Sequence, residues 1–357
     1  MNTFGEKIKI TVFGQSHAPA IGVTVDGLPA GVSIDEEKLY KFMLRRAPGT
    51  ANTSTARKET DKPVIVSGLN AKGLTCGSPL TALIYNSDAH SKDYSELFMR
   101  PRPSHADYPA WIRYGENYDI RGGGQFSGRL TAPMCVAGGI LMQLLENKGI
   151  CIGAHILSVN DVRDRGFDAV NVSAKELENV KSKDFPTLDE TAADIMKEKI
   201  LFAKQNLDSV GGIVECAVVG LKGGLGEPEF YGIENAVSQA VFAIPAVKGI
   251  EFGLGFESTL LYGSENNDEY AYFGDNVRTL TNNAGGICGG MTTGMPIIFR
   301  TAFKPTPSIA RAQNSVDLSA HENIKLEIKG RHDPCVVVRA VPCVEAAAAI
   351  AISQFVL

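Results

Sequence analysis

Residues 130–145 (Leu-Thr-Ala-Pro-Met-Cys-Val-Ala-Gly-Gly-Ile-Leu-Met-Gln-Leu-Leu) carry no charged side chain, and this constrains the fold more than any other stretch. A helix that is apolar round its whole girth holds only where other layers cover it. The run 346–356 near the C-terminus reads as a second buried helix, too short to span a bilayer. The covering layers are visible as short strands. Residues 9–13 and 22–25 alternate polar and apolar, and 64–67, 81–85, 151–159, 212–219, 297–301 and 324–328 also read as strands. Strands with interposed buried helices make an α+β chain of layered architecture. No Pro/Ser/Gly linker and no repeat divides it, so residues 1–357 are expected to form a single domain.

Further helices have recognisable ends. Ser33 with Glu36 forms a capping box for a helix reaching Arg45 and Arg46, which Pro48-Gly49 would stop. Residues 190–207 place Ile195, Ile200, Leu201 and Ala203 at helical spacing, and 233–244 form another helix. Residues 50–62 read as an exposed loop, 161–188 as charged surface, and 99–107 as irregular because Pro101 and Pro103 remove N–H donors.

Net charge is −5 with no polybasic block, which argues against a nucleic-acid or membrane-surface binder but permits a basic pocket for a small anion. The seven cysteines are scattered without a Cys-x-x-Cys pair, so neither a disulfide framework nor a metal site is expected. With no apolar signal core at the N-terminus, a cytoplasmic location is expected.

There is no Walker loop, no His-Glu-x-x-His and no Gly-x-Ser-x-Gly elbow. The chemistry-bearing residues lie instead in separate Gly- and Pro-rich loops. Tyr118-Asp119-Ile120-Arg121-Gly122-Gly123-Gly124-Gln125-Phe126-Ser127-Gly128-Arg129 precedes the apolar helix, so its cations and the first helical N–H groups could hold an anion. By itself it reads first as a plain strand-to-helix turn. His17 follows Ser16 in Gly14-Gln15-Ser16-His17, His105 lies in Arg102-Pro103-Ser104-His105, and His332 precedes Asp333 in Gly330-Arg331-His332-Asp333-Pro334-Cys335. Histidine is the side chain suited to moving protons near neutrality. Lys304-Pro305-Thr306-Pro307-Ser308 offers a cation and hydroxyls that suit a phosphate.

In order and spacing, these five blocks resemble the signature blocks of the chorismate synthases, and the likeness covers essentially the whole chain. The resemblance implies antiparallel sheets sandwiching helices, and a homotetramer. It implies a carbon–oxygen lyase of the shikimate pathway, a step of aromatic amino-acid biosynthesis. The reaction is the anti-1,4-elimination of phosphate from 5-enolpyruvylshikimate 3-phosphate, giving chorismate. Reduced FMN is required without net redox change, with NADPH or an external flavin reductase as its source of electrons.

By the same resemblance His17 protonates the leaving phosphate and His105 protonates or stabilises the reduced flavin. Asp333, assisted by Ser16, helps relay the proton from C6 by way of the flavin. Gln125, Phe126, Ser127, Ala246, Gly289, Lys304, Pro305, Thr306, Pro307, Ser308 and Arg331 fall where the family contacts FMN, Ser127 also counting among the catalytic positions. Arg46, Arg102 and Arg129 fall where arginines hold substrate.

The chain departs from the family pattern at Gln15, Ala47, Asn52, Ser104, Gln125 and Pro245. The loss of positive charge at three of these motivates an alternative, a paralogue that binds flavin or a phosphorylated ligand with little turnover.

Overall fold

The computed structural model describes residues 2–48, 61–86, 98–328 and 332–357. The first sheet is antiparallel and five-stranded. Its strands are β1 (Thr3–Phe4), β2 (Lys9–Gly14), β3 (Ala20–Asp26), β4 (Val64–Ser67) and β5 (Leu80–Tyr85), in the order β1-β2-β3-β5-β4. Period-2 patterning sets its inner face: Leu80, Ala82 and Ile84 of β5 are buried while Thr81, Leu83 and Tyr85 are not. Helix α1 (Glu36–Arg46) follows β3, then come α2 (Asp107–Tyr114) and α3 (Thr131–Glu146).

The second sheet begins with β6 (Cys151–Val159) and β7 (Val162–Arg163). After α4 (Ala174–Lys181) and α5 (Glu190–Gln205) come β8 (Gly212–Val219), α6 (Ile233–Phe242) and β9 (Val247–Phe252). A short α7 (Gly263–Asn266) and two hairpins, β10 (Tyr270–Phe273) with β11 (Asn276–Thr279) and β12 (Ile287–Cys288) with β13 (Met291–Thr292), lead to β14 (Ile297–Phe303). The strand order is β7-β6-β8-β14-β9, again antiparallel. A last hairpin, β15 (Gln313–Asp317) and β16 (Glu322–Leu326), precedes α8 (Val337–Val356).

Between the sheets lie α3 and α8. Helix α3 packs on the first sheet and on α1, while α8 packs on α3, α6, β6 and β8, and one buried cluster runs through all of these. Every residue of α3 except Glu146 is buried, as the apolar run requires. The contact with α8 is close: a Cβ on Gly138 would fall 2.3 Å from Ala346 Cβ. The antiparallel sheets thus sandwich helices, as expected.

Local expectations needed correction at several points. Helix α1 is capped by Asp35, whose carboxylate accepts from Lys38 N–H at 2.9 Å, because Ser33 is engaged in a β-bridge with Leu74. Residues 161–188 are not simply surface: Phe167, Val172 and the α4 residues Leu177 and Val180 pack with Ala217 and Ile298 on the second sheet. Helix α5 buries Ala193, Met196, Ile200 and Ala203, leaving Ile195 and Leu201 exposed. Helix α8 starts at Val337, so at 20 residues it has the length and apolarity of a membrane span, yet it is a core helix. Of the loop expected over 50–62, only Asp61 and Lys62 are described, and Asp61 is buried.

Candidate active site

The glycine loop takes its shape from three successive left-handed residues, with φ of 61° at Gly122, 84° at Gly123 and 54° at Gly124. Only glycine does this without steric cost. It also lets the loop press on the turn after β2: a Cβ on Gly122 would sit 2.5 Å from Ser16 Oγ and 2.6 Å from the His17 ring, and Ser16 N–H donates to the Gly124 carbonyl at 3.1 Å. Ser16 is fully buried, and its Oγ has no hydrogen-bond partner among the described residues.

The entry to α3 differs from expectation. A 3₁₀ turn at Gly128–Leu130 runs into the helix, and Thr131 N–H bonds back to the Gly128 and Arg129 carbonyls. That first donor does not point back at the loop. Arg121 is likewise spent, pairing with Asp119 at 2.8 Å on the surface. Anion recognition at this place falls to the side chains.

Those side chains surround a cavity of about 710 Å³. The glycine loop and the turn after it contribute Gln125, Phe126, Ser127 and Arg129; the 99–107 segment contributes Arg102 and His105; α1 contributes Arg46. Ala246, Lys304, Thr306, Pro307, Ser308 and Asp333 complete the expected set on its walls. Pro305 lies between two lining residues, while Ser16 and His17 stand behind Gly122, which does line it. Gly289 is apart from the rest, exposed in the turn between β12 and β13. Arg331 lies outside the described residues.

Three carboxylates order the basic groups, and sequence reasoning had assigned a role to only one of them. Asp107 accepts both Arg102 Nε (2.7 Å) and Nη2 (2.8 Å) as a fork, and its Oδ1 lies 2.6 Å from His105 Nδ1. Burial opposes its ionisation, but the hydrogen bonds from Arg102 and His105 hold the Asp107 carboxyl far below the usual range. With Nδ1 tied, the His105 ring edge carrying Nε2 runs along Gly123, 3.5 Å from where a Cβ would be.

Asp61 stands between Arg46 and Arg129 and pairs with both. Burial pushes its pKa up, and the two guanidinium groups override that and lower it. Asp333 pairs with Arg339 on the first turn of α8, and Arg339 Nε donates to the Arg46 carbonyl at 3.0 Å. Burial, with Arg46 nearby, pulls Arg339 below the ordinary arginine value despite Asp333.

His332 Nε2–H donates to the Ile328 carbonyl at 3.1 Å, and burial lowers its pKa, keeping it neutral at physiological pH. Lys304 Nζ meets both the Ser104 carbonyl (2.5 Å) and hydroxyl (2.8 Å); burial first, then Lys248 nearby, lowers its pKa. Arg46, Arg102, Arg129, Arg339, Lys248 and Lys304 line the cavity against Asp333 on its wall and Asp61 and Asp107 behind it. The balance among the described residues is positive, as binding of a multiply charged anion demands. Phe126, Ile244, Ala246 and Val336 add an apolar wall, and Thr306 Oγ1 is buried without a hydrogen-bond partner among the described residues. That mixture fits a flat aromatic ring system bearing a phosphate.

Asp107 had a visible signal, standing two residues after a histidine in a Pro-rich loop. Asp61 had none, and Arg339 only its apolar helical context.

Comparison with known proteins identifies the family. The sequence model of the family described as chorismate synthase matches residues 8–357. A chorismate synthase of Lancefieldella parvula is 45% identical over 98% of this chain and 95% of its own length. One from Korarchaeum cryptofilum is 42% identical over 99% of this chain and 97% of its own. A solved structure titled "Crystal Structure of Chorismate Synthase" superposes with a TM-score of 0.76 at 25% identity, covering 99% of this chain and 93% of that one. The chain belongs to the chorismate synthase family.

Proposed function

We propose that the protein converts 5-enolpyruvylshikimate 3-phosphate to chorismate by 1,4-elimination of phosphate, with reduced FMN as cofactor, in one catalytic domain formed by residues 1–357. One observation supports this best: Arg46, Arg102, Arg129 and His105 converge on one cavity from three separate segments, with carboxylates orienting them. Bidentate guanidinium groups suit the phosphate and carboxylates of such a substrate. The same relatives lend no support to a paralogue without turnover.

In this reading Arg46, Arg102 and Arg129 bind and orient the substrate. His17, packed against Gly122, gives a proton to the departing phosphate oxygen. Asp107 fixes His105 so that Nε2 can hold or move a proton on the cavity side. Asp333, held by Arg339 and assisted by Ser16, takes part in removing the C6 proton. Gln125, Phe126, Ser127, Ala246, Lys304, Pro305, Thr306, Pro307 and Ser308 would hold FMN, with Gly289 and Arg331 as further contacts. When bound, the reduced flavin supplies electron density to the breaking C–O bond and leaves the overall redox state unchanged.

The exposed side chains Phe230 (83%), Phe256 (81%), Leu260 (84%) and Tyr272 (79%) support assembly into the homotetramer. Seven unbridged cysteines suit the reducing cytoplasm as its location. The test is an anaerobic assay with substrate and dithionite-reduced FMN, followed by chorismate absorbance. Folded, FMN-binding protein that makes no chorismate refutes the proposal. Replacing dithionite by NADPH distinguishes a chain that reduces its own flavin from one that relies on a separate reductase.

A further inference from the structure

The two arginines on the α1 side of the cavity are locked by one carboxylate. Asp61 Oδ2 accepts from Arg46 Nη1 and Asp61 Oδ1 from Arg129 Nη1, and the Asp61 side chain is wholly buried. The other nitrogens of Arg46 are also held, Nε to Thr131 Oγ1 at 3.1 Å and Nη2 to the Gly128 carbonyl at 2.9 Å, while Nη1 and Nη2 each keep a second N–H. Arg129 Nε donates to Asn86 Oδ1 at 3.1 Å.

Two guanidinium groups this close repel each other in a medium of low dielectric, and a single carboxylate between them removes that repulsion while leaving a net positive charge. Asp61 also holds a left-handed backbone conformation, with φ of 48°, which costs a non-glycine residue strain. Arg45, which precedes Arg46 on α1, offers a contrast. Arg45 is tied to Glu345 of α8 at 2.6 Å and 2.9 Å, and that carboxylate also accepts Ala154 N–H, a pair that joins elements and does not line the cavity.

We propose that Asp61 is a positioning residue for the reaction, clamping Arg46 and Arg129 as a rigid pair that receives the anionic groups of the substrate or the released phosphate. The proposal rests on the reading of this cavity as the active site.

The sign of the effect on anion binding tests it. Asp61→Asn adds one net positive charge, so if Asp61 merely screened the arginines, inorganic phosphate would bind the full-length variant more tightly. A clamp predicts the opposite: phosphate affinity by calorimetry about tenfold weaker, and kcat/KM for the substrate with reduced FMN about 10²-fold lower. Asp61→Glu keeps the charge and moves the carboxylate, and should also weaken phosphate binding; it serves alone if the asparagine variant does not fold. Phosphate binding as tight as wild type in either variant, or a lowered Tm with unchanged affinity and kinetics, overturns the clamp. Wild-type protein that makes chorismate while phosphate fails to compete overturns the anion-site reading and the clamp together.

Discussion

His105 owes its orientation to Asp107, and so does Arg102, through the same carboxylate. His105→Ala and His17→Ala should each slow turnover about 10²-fold with unchanged Tm, the loss typical of a positioned proton donor. Asp107→Asn should reproduce the fall in kcat and also raise KM, since Arg102 loses its fork. An unchanged KM would detach Arg102 from the substrate. Sequence patterns pointed to the histidines and arginines because such side chains in Gly- and Pro-rich loops seldom serve packing. Of the acids that arrange them, Asp333 and Asp107 stood in readable motifs, but Asp61 was not legible. Asp61 sits in a polar run that reads as exposed, and its burial depends on arginines brought to it from α1 and the turn before α3. Ser104 could be read only as a departure from pattern. At φ of 60° it keeps the left-handed backbone in which glycine is at ease, and its hydroxyl reaches Lys304 Nζ at 2.8 Å.

Helices α3 and α8 cross where side chains are smallest. Gly138→Ala should lower stability in urea unfolding by about 1–3 kcal/mol, because two packed helices cannot part without disturbing both sheets. A stability equal to wild type would show that the crossing is looser than the geometry implies. The second sheet carries a charged row in cross-strand register, His155 to Glu215 to Arg300 to Glu251. Burial acts to lower the His155 pKa, yet Asp164 and Glu215, at 3.5 and 3.0 Å, raise it. A histidine whose folded pKa is raised stabilises fully below its unfolded pKa of about 6.5 and loses that contribution as pH rises through the folded value. Tm should therefore fall as pH rises from about 6.5 through the raised folded value, and His155→Gln should remove most of that dependence. Local pattern placed eight of the sixteen described strands, because alternation and β-branched runs survive packing, and it missed β9 and most of the short strands. It misjudged the buried face of α5, where Met196 and Ala193 were chosen over Ile195 and Leu201 by the surface they meet. It missed α4, whose short, charged sequence becomes a helix through Ser173 capping and two buried apolar residues.

At the scale of the whole molecule, a net charge of −5 coexists with a cavity lined by six cations. That contrast concentrates an anionic substrate where the site opens, an effect salt weakens as the Debye length shrinks from about 30 Å at 0.01 M to about 8 Å at 0.15 M. kcat/KM for the phosphorylated substrate should decline across that range while kcat changes little; a salt-independent kcat/KM would remove steering from the account. Helix α8 has a different consequence. It comes after every strand in chain order, yet it lies at the centre of the core, and its Gln354 reaches back to Glu6 and Lys7 N–H and to the Ile8 carbonyl. While the ribosome is still making it, α3, α6, β6 and β8 all lack the partner they finally pack against. The nascent chain therefore carries open apolar surface on these elements until α8 has been made. The core cannot close before α8 has left the ribosome, and until then the growing chain is vulnerable to aggregation or chaperone capture.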